Sequence, residues 1–383
     1  MIQDSPDNSF DVTVSVWNDF WSPYLVSGLH NAGLQVIQHT TARQKAPCAR
    51  FVRNIPASTL NHLAFRGLLP SRFAHSWSRG LVDSEGARLL QKSKAFWGWS
   101  GCSLKGLQAA KAEGKPAILE RGSSHCVWQK NCVAKEHRRL GLPLDELSSD
   151  KEIAYDLAEY DAADVICVPS QFVRNTFLDN GVPEQKLFLN PYGVDFEFWS
   201  QCDSSKRTAH PFTFLWVATL MPRKGIAVLL EAWRKAALKD AHLVLVGGVS
   251  PSAQHLLRNL PKNIVLKPFL DHKSIREEMS RAHVYVLPSF EEGMARSVLE
   301  AAAAGLPVLI TEETGATDLL HNGTSAWVVP SGDVNALAES LVCLSSDQKN
   351  AIERGTEARL AVRDYSWESY GERAALFLAE LVT

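Results

Sequence analysis

The sequence predicts an α/β fold of two Rossmann-like, doubly wound domains facing each other across a cleft. Three observations carry that expectation. Short apolar runs alternate with amphipathic stretches along the chain, the pattern of parallel strands flanked by helices. A polar stretch, QCDSSKRTAH at 201–210, breaks the alternation and reads as a linker. The two halves also echo one another. AADVICVPSQFVRNTF (162–177) resembles RAHVYVLPSFEEGMAR (281–296), each a small residue, an apolar strand, Pro-Ser and a helix start. These features divide the chain into a first domain over 1–205 and a second over 206–365. A closing helix over 366–383 could pack on the second half or cross back to the first.

In the first half the expected strands are Val12–Val16, Val36–His39, Ala117–Glu120, Asp164–Val168 and Leu187–Leu189, closed by a turn at Tyr192-Gly193-Val194-Asp195. The second half restarts with Phe212–Ala218 and a helix from Ile226 to about Ala237. His242–Val246 follows, ending in Gly247-Gly248, then Ile264–Lys267, Val284–Leu287, Pro307–Thr311 and Ser325–Val329. Ligands of such sheets bind at the carboxyl ends of the strands, so facing halves imply a binding cleft between them.

The 383 residues fit two domains, and 45% hydrophobic with 21% charged residues is a globular composition. A formal net charge of -2 argues against a protein built to coat nucleic acid. One imbalance is local. No acidic residue lies between Asp19 and Asp83, whereas Arg43, Lys45, Arg50, Arg53, Arg66, Arg72 and Arg79 do, interleaved with Leu63, Phe65, Leu68, Leu69, Phe73 and Trp77. Such a segment suits an anionic acceptor or a membrane surface, and reads equally as a solvated face over a core helix.

Seven scattered cysteines (48, 102, 126, 132, 167, 202, 343) contain no Cys-x-x-Cys pair, which fits reduced thiols and a cytoplasmic protein. His125, Cys126, Cys132 and His137 match no common zinc spacing, so no metal site is expected. The N-terminus, MIQDSPDNSF, lacks the pattern of a signal segment, and no apolar run approaches the ~20 residues that span a bilayer. The expectation is a soluble chain, at most peripheral to a membrane.

The chemistry gathers in PSFEEGMARSVLE (288–300). Glu292 and Glu300 lie eight residues apart, Glu292 before Gly293 and Glu300 on a helix expected to begin near Ala295. The amides of Met294, Ala295, Arg296 and Ser297 would favour an anion at that helix start. A phosphate flanked by two polyols matches such an element, as in a nucleotide sugar. Glu291 is read as merely solvated. A second element, TLMPRKGIAVLLEAW (219–233), sets Arg223 and Lys224-Gly225 between a strand and a helix, where a basic pair could neutralise a diphosphate.

Together with Gly247-Gly248, NPYGVDFEFW (190–199) and TGATDLLHNGTSAWVVPSGD (314–333), these motifs resemble the retaining glycosyltransferases of family 4, which have the GT-B fold. The resemblance covers residues 150–365 well and the first 110 poorly. It implies that Glu300 holds ribose hydroxyls and Glu292 the hydroxyls of the transferred sugar. Lys224, with Arg223, would stabilise the leaving diphosphate, and the backbone from Gly293 to Ser297 would orient sugar and phosphate. His125, in ERGSSH, would reach the donor sugar from the first domain; it reads also as a structural histidine. The chain departs from the pattern at Thr219, where arginine is frequent, at Ala295, where proline is, and at Asp318, where glutamate is. WNDFWSPY (17–24) lacks the paired glycines usual after the first strand.

The implied reaction is sugar transfer with retention from a nucleotide-diphosphate sugar, the donor substrate, to an unidentified acceptor, saccharide, lipid-linked or other. No further cofactor is expected. Without an Asp-x-Asp motif, Lys224 and the helix amides supply the positive charge, so no divalent ion is expected. The alternatives are a non-catalytic nucleotide-sugar binder and a transferase acting on nucleic-acid bases. A nicotinamide dehydrogenase is disfavoured by the lack of any G-x-G-x-x-G after a strand.

Overall fold

The computed structural model describes residues 10–43, 46, 49–144, 147–209 and 211–382. Lys45, Cys48 and His210, singled out above, lie outside the described residues, as does the side chain of Arg72.

Two all-parallel sheets form the two halves. The first contains β1 (Phe10–Val16), β2 (Val36–Thr40), β3 (Arg50–Arg53), β4 (Ser93–Trp99), β5 (Ala117–Glu120), β6 (Val165–Val168) and β7 (Leu187–Leu189), in the order β3-β2-β1-β4-β5-β6-β7. The second contains β8 (Phe212–Val217), β9 (Ala241–Val246), β10 (Ile264–Lys267), β11 (Val284–Leu287), β12 (Val308–Ile310) and β13 (Ala326–Val328), in the order β10-β9-β8-β11-β12-β13. β5, β6, β8, β11 and β12 read as largely apolar runs because helices cover both faces, whereas β1 (FDVTVSV) and β2 (VIQHT) also bury polar side chains. β3 and β4 were not expected from the sequence. β3, RFVR, is a short edge strand with charged ends. β4, SKAFWGW, is buried, but its glycine and aromatics show no strand alternation.

In the first half, α1 (Ser22–Asn31), α2 (Ile55–Phe65), α3 (Ser71–Leu90), α4 (Leu104–Ala112), α5 (Cys126–Arg139), α6 (Asp150–Ala162) and α7 (Gln171–Leu178) surround the sheet, and the short α8 (Phe196–Ser200) leads out of it. Around the second sheet lie α9 (Ile226–Ala236), α10 (His272–Arg281), α11 (Arg296–Ala303), α12 (Val334–Ser346) and α13 (Gln348–Ala361). The linker is not slack: Arg207 donates to the carbonyls of Ala304 and Gly305, and Lys206 pairs with Glu277.

In both sheets the strand order reverses beside the first strand, between β1 and β4 and between β8 and β11. Loops leaving the carboxyl ends of strands at such a switch point diverge and leave a crevice. In the second sheet those loops are 218–225 and 288–295, which hold the basic pair and the glutamates.

The closing helix, α14 (Trp367–Val382), packs against α1. The crossing is close because Gly28 meets Gly371: a Cβ on Gly28 would lie 2.3 Å from the Gly371 Cα. Arg373 donates to Asn190 Oδ1 and the Pro191 carbonyl, and the Tyr370 hydroxyl donates to Glu120 Oε1 at 2.9 Å. Glu120, at the end of β5, is buried and also accepts from the indoles of Trp21 and Trp97, both at 3.0 Å. Burial pushes its carboxyl up despite those three donors. Tyr370→Phe removes one donor from a group that water cannot reach. We expect a loss of about 1–3 kcal/mol, read as a lower urea midpoint with an unchanged slope; an unchanged midpoint would show that α14 is not held through Glu120.

Candidate functional site

After β8 the chain makes a tight 3₁₀ turn, Pro222–Lys224, and Gly225 takes the left-handed conformation (φ 80°) before α9 begins. A Cβ at Gly225 would sit 1.9 Å from the Pro288 carbonyl, so this loop is pressed onto the loop that follows β11. The contact sets up two acid–base pairs. Lys224 Nζ donates to Glu292 Oε1 at 2.5 Å, and Ser289 Oγ donates to the same oxygen at 3.0 Å. Arg223 Nη1 reaches the Glu291 carbonyl and Glu291 Oε2, both at 2.6 Å, and lies 3.9 Å from Glu292 Oε2.

Glu291 corrects the sequence reading. It is wholly buried, not solvated. Oε1 accepts from the Ser124 backbone amide at 2.9 Å and from Ser124 Oγ at 2.8 Å, and Oε2 accepts from Gln129 Nε2 at 2.9 Å as well as from Arg223. Ser124 precedes α5 and Gln129 lies on it, so one carboxylate of the second domain is held by three donors of the first. Burial alone would raise the Glu291 carboxyl; Arg223, Gln129 and Ser124 outweigh it and hold it below the ordinary carboxylate range. Burial likewise opposes the charge on Arg223, and Glu291 and Glu292 restore it, raising its pKa.

A second acid repeats the device. Asp318, noted above as replacing a glutamate, accepts from the backbone amide of Gln171 at 2.7 Å, at the first turn of α7. Beside it, Ser170 Oγ caps α7 and donates to the Gly293 carbonyl at 2.6 Å. The two Pro-Ser elements of the internal echo therefore meet across the domain boundary. Gly293 permits this: a Cβ there would lie 2.1 Å from the Gly122 carbonyl.

The expected anion-binding amides are partly spent. α11 starts at Arg296, and the Ala295 amide already donates to the Thr314 carbonyl at 2.8 Å. Ala295 is thus corrected from the set of amides open to a ligand. The amides of Gly293, Met294, Arg296 and Ser297 have no acceptor among the described residues. Glu300, one turn along α11, accepts no side-chain hydrogen bond among the described residues; burial raises its carboxyl, and the charges of Arg296 and His272 lower it. The Tyr285 hydroxyl, 2.7 Å from Ser297 Oγ, lies within electrostatic reach of both Glu300 and Glu292, so the two carboxylates share one neighbourhood.

His125 is placed differently. Its ring is 3% exposed and packs against Tyr160 and Phe177 with centroids 5.1 Å apart in each case. Burial and Arg121 lower its pKa to about 4, so it is neutral near pH 7, and Nδ1 has no partner among the described residues. No hydrogen bond joins it to Glu292, Lys224 or Glu300. The first-domain residues that bind the Glu291 carboxylate are Ser124 and Gln129, for which the sequence offered no signal beyond proximity to His125. The glycine-poor stretch after β1 is filled by aromatics: the Trp21 ring lies 5.9 Å from Trp99, and Tyr24 stacks on Trp367 at 4.4 Å, within electrostatic reach of Arg296 and Glu300. Among the described residues no three His, Cys, Asp or Glu side chains cluster as metal ligands.

Residues 211–347 match the family described as glycosyl transferases group 1. Over 97% of its length the chain superposes on all of the Anabaena HepE structure in complex with UDP and glucose, with a TM-score of 0.70 and 14% identity. The chain has the GT-B fold. It is 26% identical to a putative colanic acid biosynthesis glycosyltransferase, WcaL, of Salmonella typhimurium, over 61% of this chain and 62% of that one. It is also 26% identical to a GDP-mannose-dependent phosphatidylinositol monomannoside mannosyltransferase of Mycolicibacterium smegmatis, over 57% and 62% of the two chains. The chain spans about half the length of the curated relatives it matches.

Because the native Glu291 carboxyl is held low, its contribution to stability is complete above about pH 4.5 and is lost as pH falls through the lowered native value. Glu291→Ala takes the acceptor from the half-buried Arg223 and from Ser124 and Gln129 and should cost about 3–5 kcal/mol. Denaturation midpoints of the variant and the wild type should converge on acidification, and an equal offset at pH 7 and pH 3 would contradict the assignment.

Proposed function

We propose that the chain is a retaining, family 4 glycosyltransferase of the cytoplasm that moves a sugar from a nucleotide-diphosphate sugar onto a saccharide or lipid-linked acceptor. The observation that carries the reading is the meeting of Lys224, Arg223, Glu292 and Glu300 around the unspent amides of Gly293, Met294, Arg296 and Ser297 at the switch point of the second sheet. The relatives named as glycosyltransferases and the structural neighbour with UDP and glucose support it.

In this reading the nucleoside lies along α11 with Glu300 accepting from ribose hydroxyls. The diphosphate faces the amides at the start of α11 and competes with Glu292 for the Lys224 ammonium. The exchange frees Glu292 to accept from hydroxyls of the transferred sugar. The bond from the anomeric carbon to the diphosphate breaks, negative charge gathers on the leaving oxygens, and Lys224, Arg223 and the amides stabilise it. The acceptor oxygen bonds to the same face of that carbon and passes its proton to the departing phosphate, so no protein base is needed. Arg223, fixed by Glu291, is ready to act without reorganisation. The positive charge already present makes the reaction independent of a divalent ion. His125, neutral and buried, would contribute only its unpaired Nδ1, as a short-range polar contact to the sugar.

The test is release of nucleoside diphosphate from UDP-, GDP- and ADP-sugars. One donor should be consumed, and its turnover should persist in chelator. Lys224→Ala should lower kcat by about 10²–10³-fold, and Glu292→Gln should lower it comparably while the fold is retained. Donor consumption that neither variant slows would overturn the assignment, and strict dependence on magnesium or manganese would overturn the metal-independent mechanism.

A further inference from the structure

The α2–α3 hairpin turns an apolar stripe away from the core. On α3, Ala74, Ser78 and Val82 face inward, whereas Phe73, Trp77 and Leu81, spaced four residues apart on one face, point to solvent at 66%, 66% and 39% exposure. At the hairpin tip Phe65 is 90% exposed and Leu68 66%. A soluble surface rarely gathers so many large apolar side chains without a partner.

Up to Val82 the charge of this segment is of one sign; the acids of α3, Asp83 and Glu85, lie farther along the helix, where Glu85 binds Asn54 and Arg88. From residue 20 to 82 the chain has no Asp or Glu. Arg43 and Arg66 are exposed, and among the described residues no carboxylate pairs with them or with Arg53 or Arg79; Arg50 stands apart, over the Phe10 ring at the start of β1. The hairpin is also fixed beside the cleft: Trp17, just past the carboxyl end of β1, donates to Ser78 Oγ at 2.7 Å, and its ring contacts His75 and Arg79.

We propose that the α2–α3 face docks on an anionic lipid bilayer, with Phe65, Leu68, Phe73 and Trp77 entering the interface and the arginines meeting lipid phosphates. Protruding aromatics with a basic surround suit a headgroup boundary, where Trp and Phe insert and cations gain from negative surface potential. The docked face would bring the mouth of the cleft to the membrane; that consequence rests on the transferase reading, and the docking itself does not.

The experiment is co-sedimentation of the full chain with phosphatidylcholine vesicles, and with vesicles in which about 30% of the lipid is phosphatidylglycerol. Binding to the anionic vesicles should exceed binding to neutral ones by at least about tenfold and fall in about 0.5 M salt. The double variant Phe73→Ser/Trp77→Ser should lose it, as should Arg43→Glu/Arg66→Glu, with unchanged thermal midpoints because all four residues are exposed. Donor consumption without vesicles should be unaffected by either variant, which separates failure of this surface from failure of the transferase reading. No sedimentation with anionic vesicles at low salt, or sedimentation undiminished in the apolar double variant, would overturn the proposal.

Discussion

The structure depends on one buried carboxylate. Glu291 belongs to the second domain, yet three of its four side-chain donors' bonds come from Ser124 and Gln129 of the first, and the remaining one from Arg223. A carboxylate removed from water is costly unless its lone pairs are met, so the acid commits both domains to one arrangement. Ser124 stands just before α5 and Gln171 opens α7. Glu291 and Asp318 therefore each deliver a negative group to a helix start of the opposite domain, where unspent amides and the helix dipole favour it. The boundary is held by directional polar contacts, and these specify register and angle more sharply than apolar packing alone.

That constraint reaches the candidate chemistry through Arg223. The guanidinium joins the Glu291 side chain to its own backbone carbonyl, which fixes the loop after β8 against the loop after β11. Lys224, the next residue, is thereby brought onto Glu292. Lys224, paired with the neighbouring acid Glu292, is already in place when a diphosphate competes for it. The basic side chains are then positioned before a ligand arrives, the condition under which electrostatic stabilisation is most effective.

The fold was legible in the sequence because long-range periodicity survives local noise. The apolar runs that became β5, β6, β8, β11 and β12 and the linker near 205 needed only pattern reading. β4 escaped because its burial on both faces is filled by Phe96, Trp97 and Trp99, bulky residues that a strand and a core helix use alike. In the site, Glu292, Glu300 and Lys224 were visible because their spacing follows from a strand–loop–helix frame. Glu291 was misjudged because its partners lie more than 160 residues away in sequence, at Ser124 and Gln129. Nothing local distinguishes it from Glu292. His125 shows the converse: position in a motif says little about which way a ring turns, and Tyr160 and Phe177 turned it inward.

In the proposed site Glu300 and the Arg223–Lys224 pair together hold a nucleoside diphosphate at the start of α11. Calorimetric titration with UDP, GDP and ADP tests it without requiring an acceptor. One-to-one binding of at least one of the three is expected, weakened by Glu300→Ala through the lost ribose contacts and by Lys224→Ala through the lost phosphate contact. Binding that neither substitution alters, or no binding of any of the three, would contradict it.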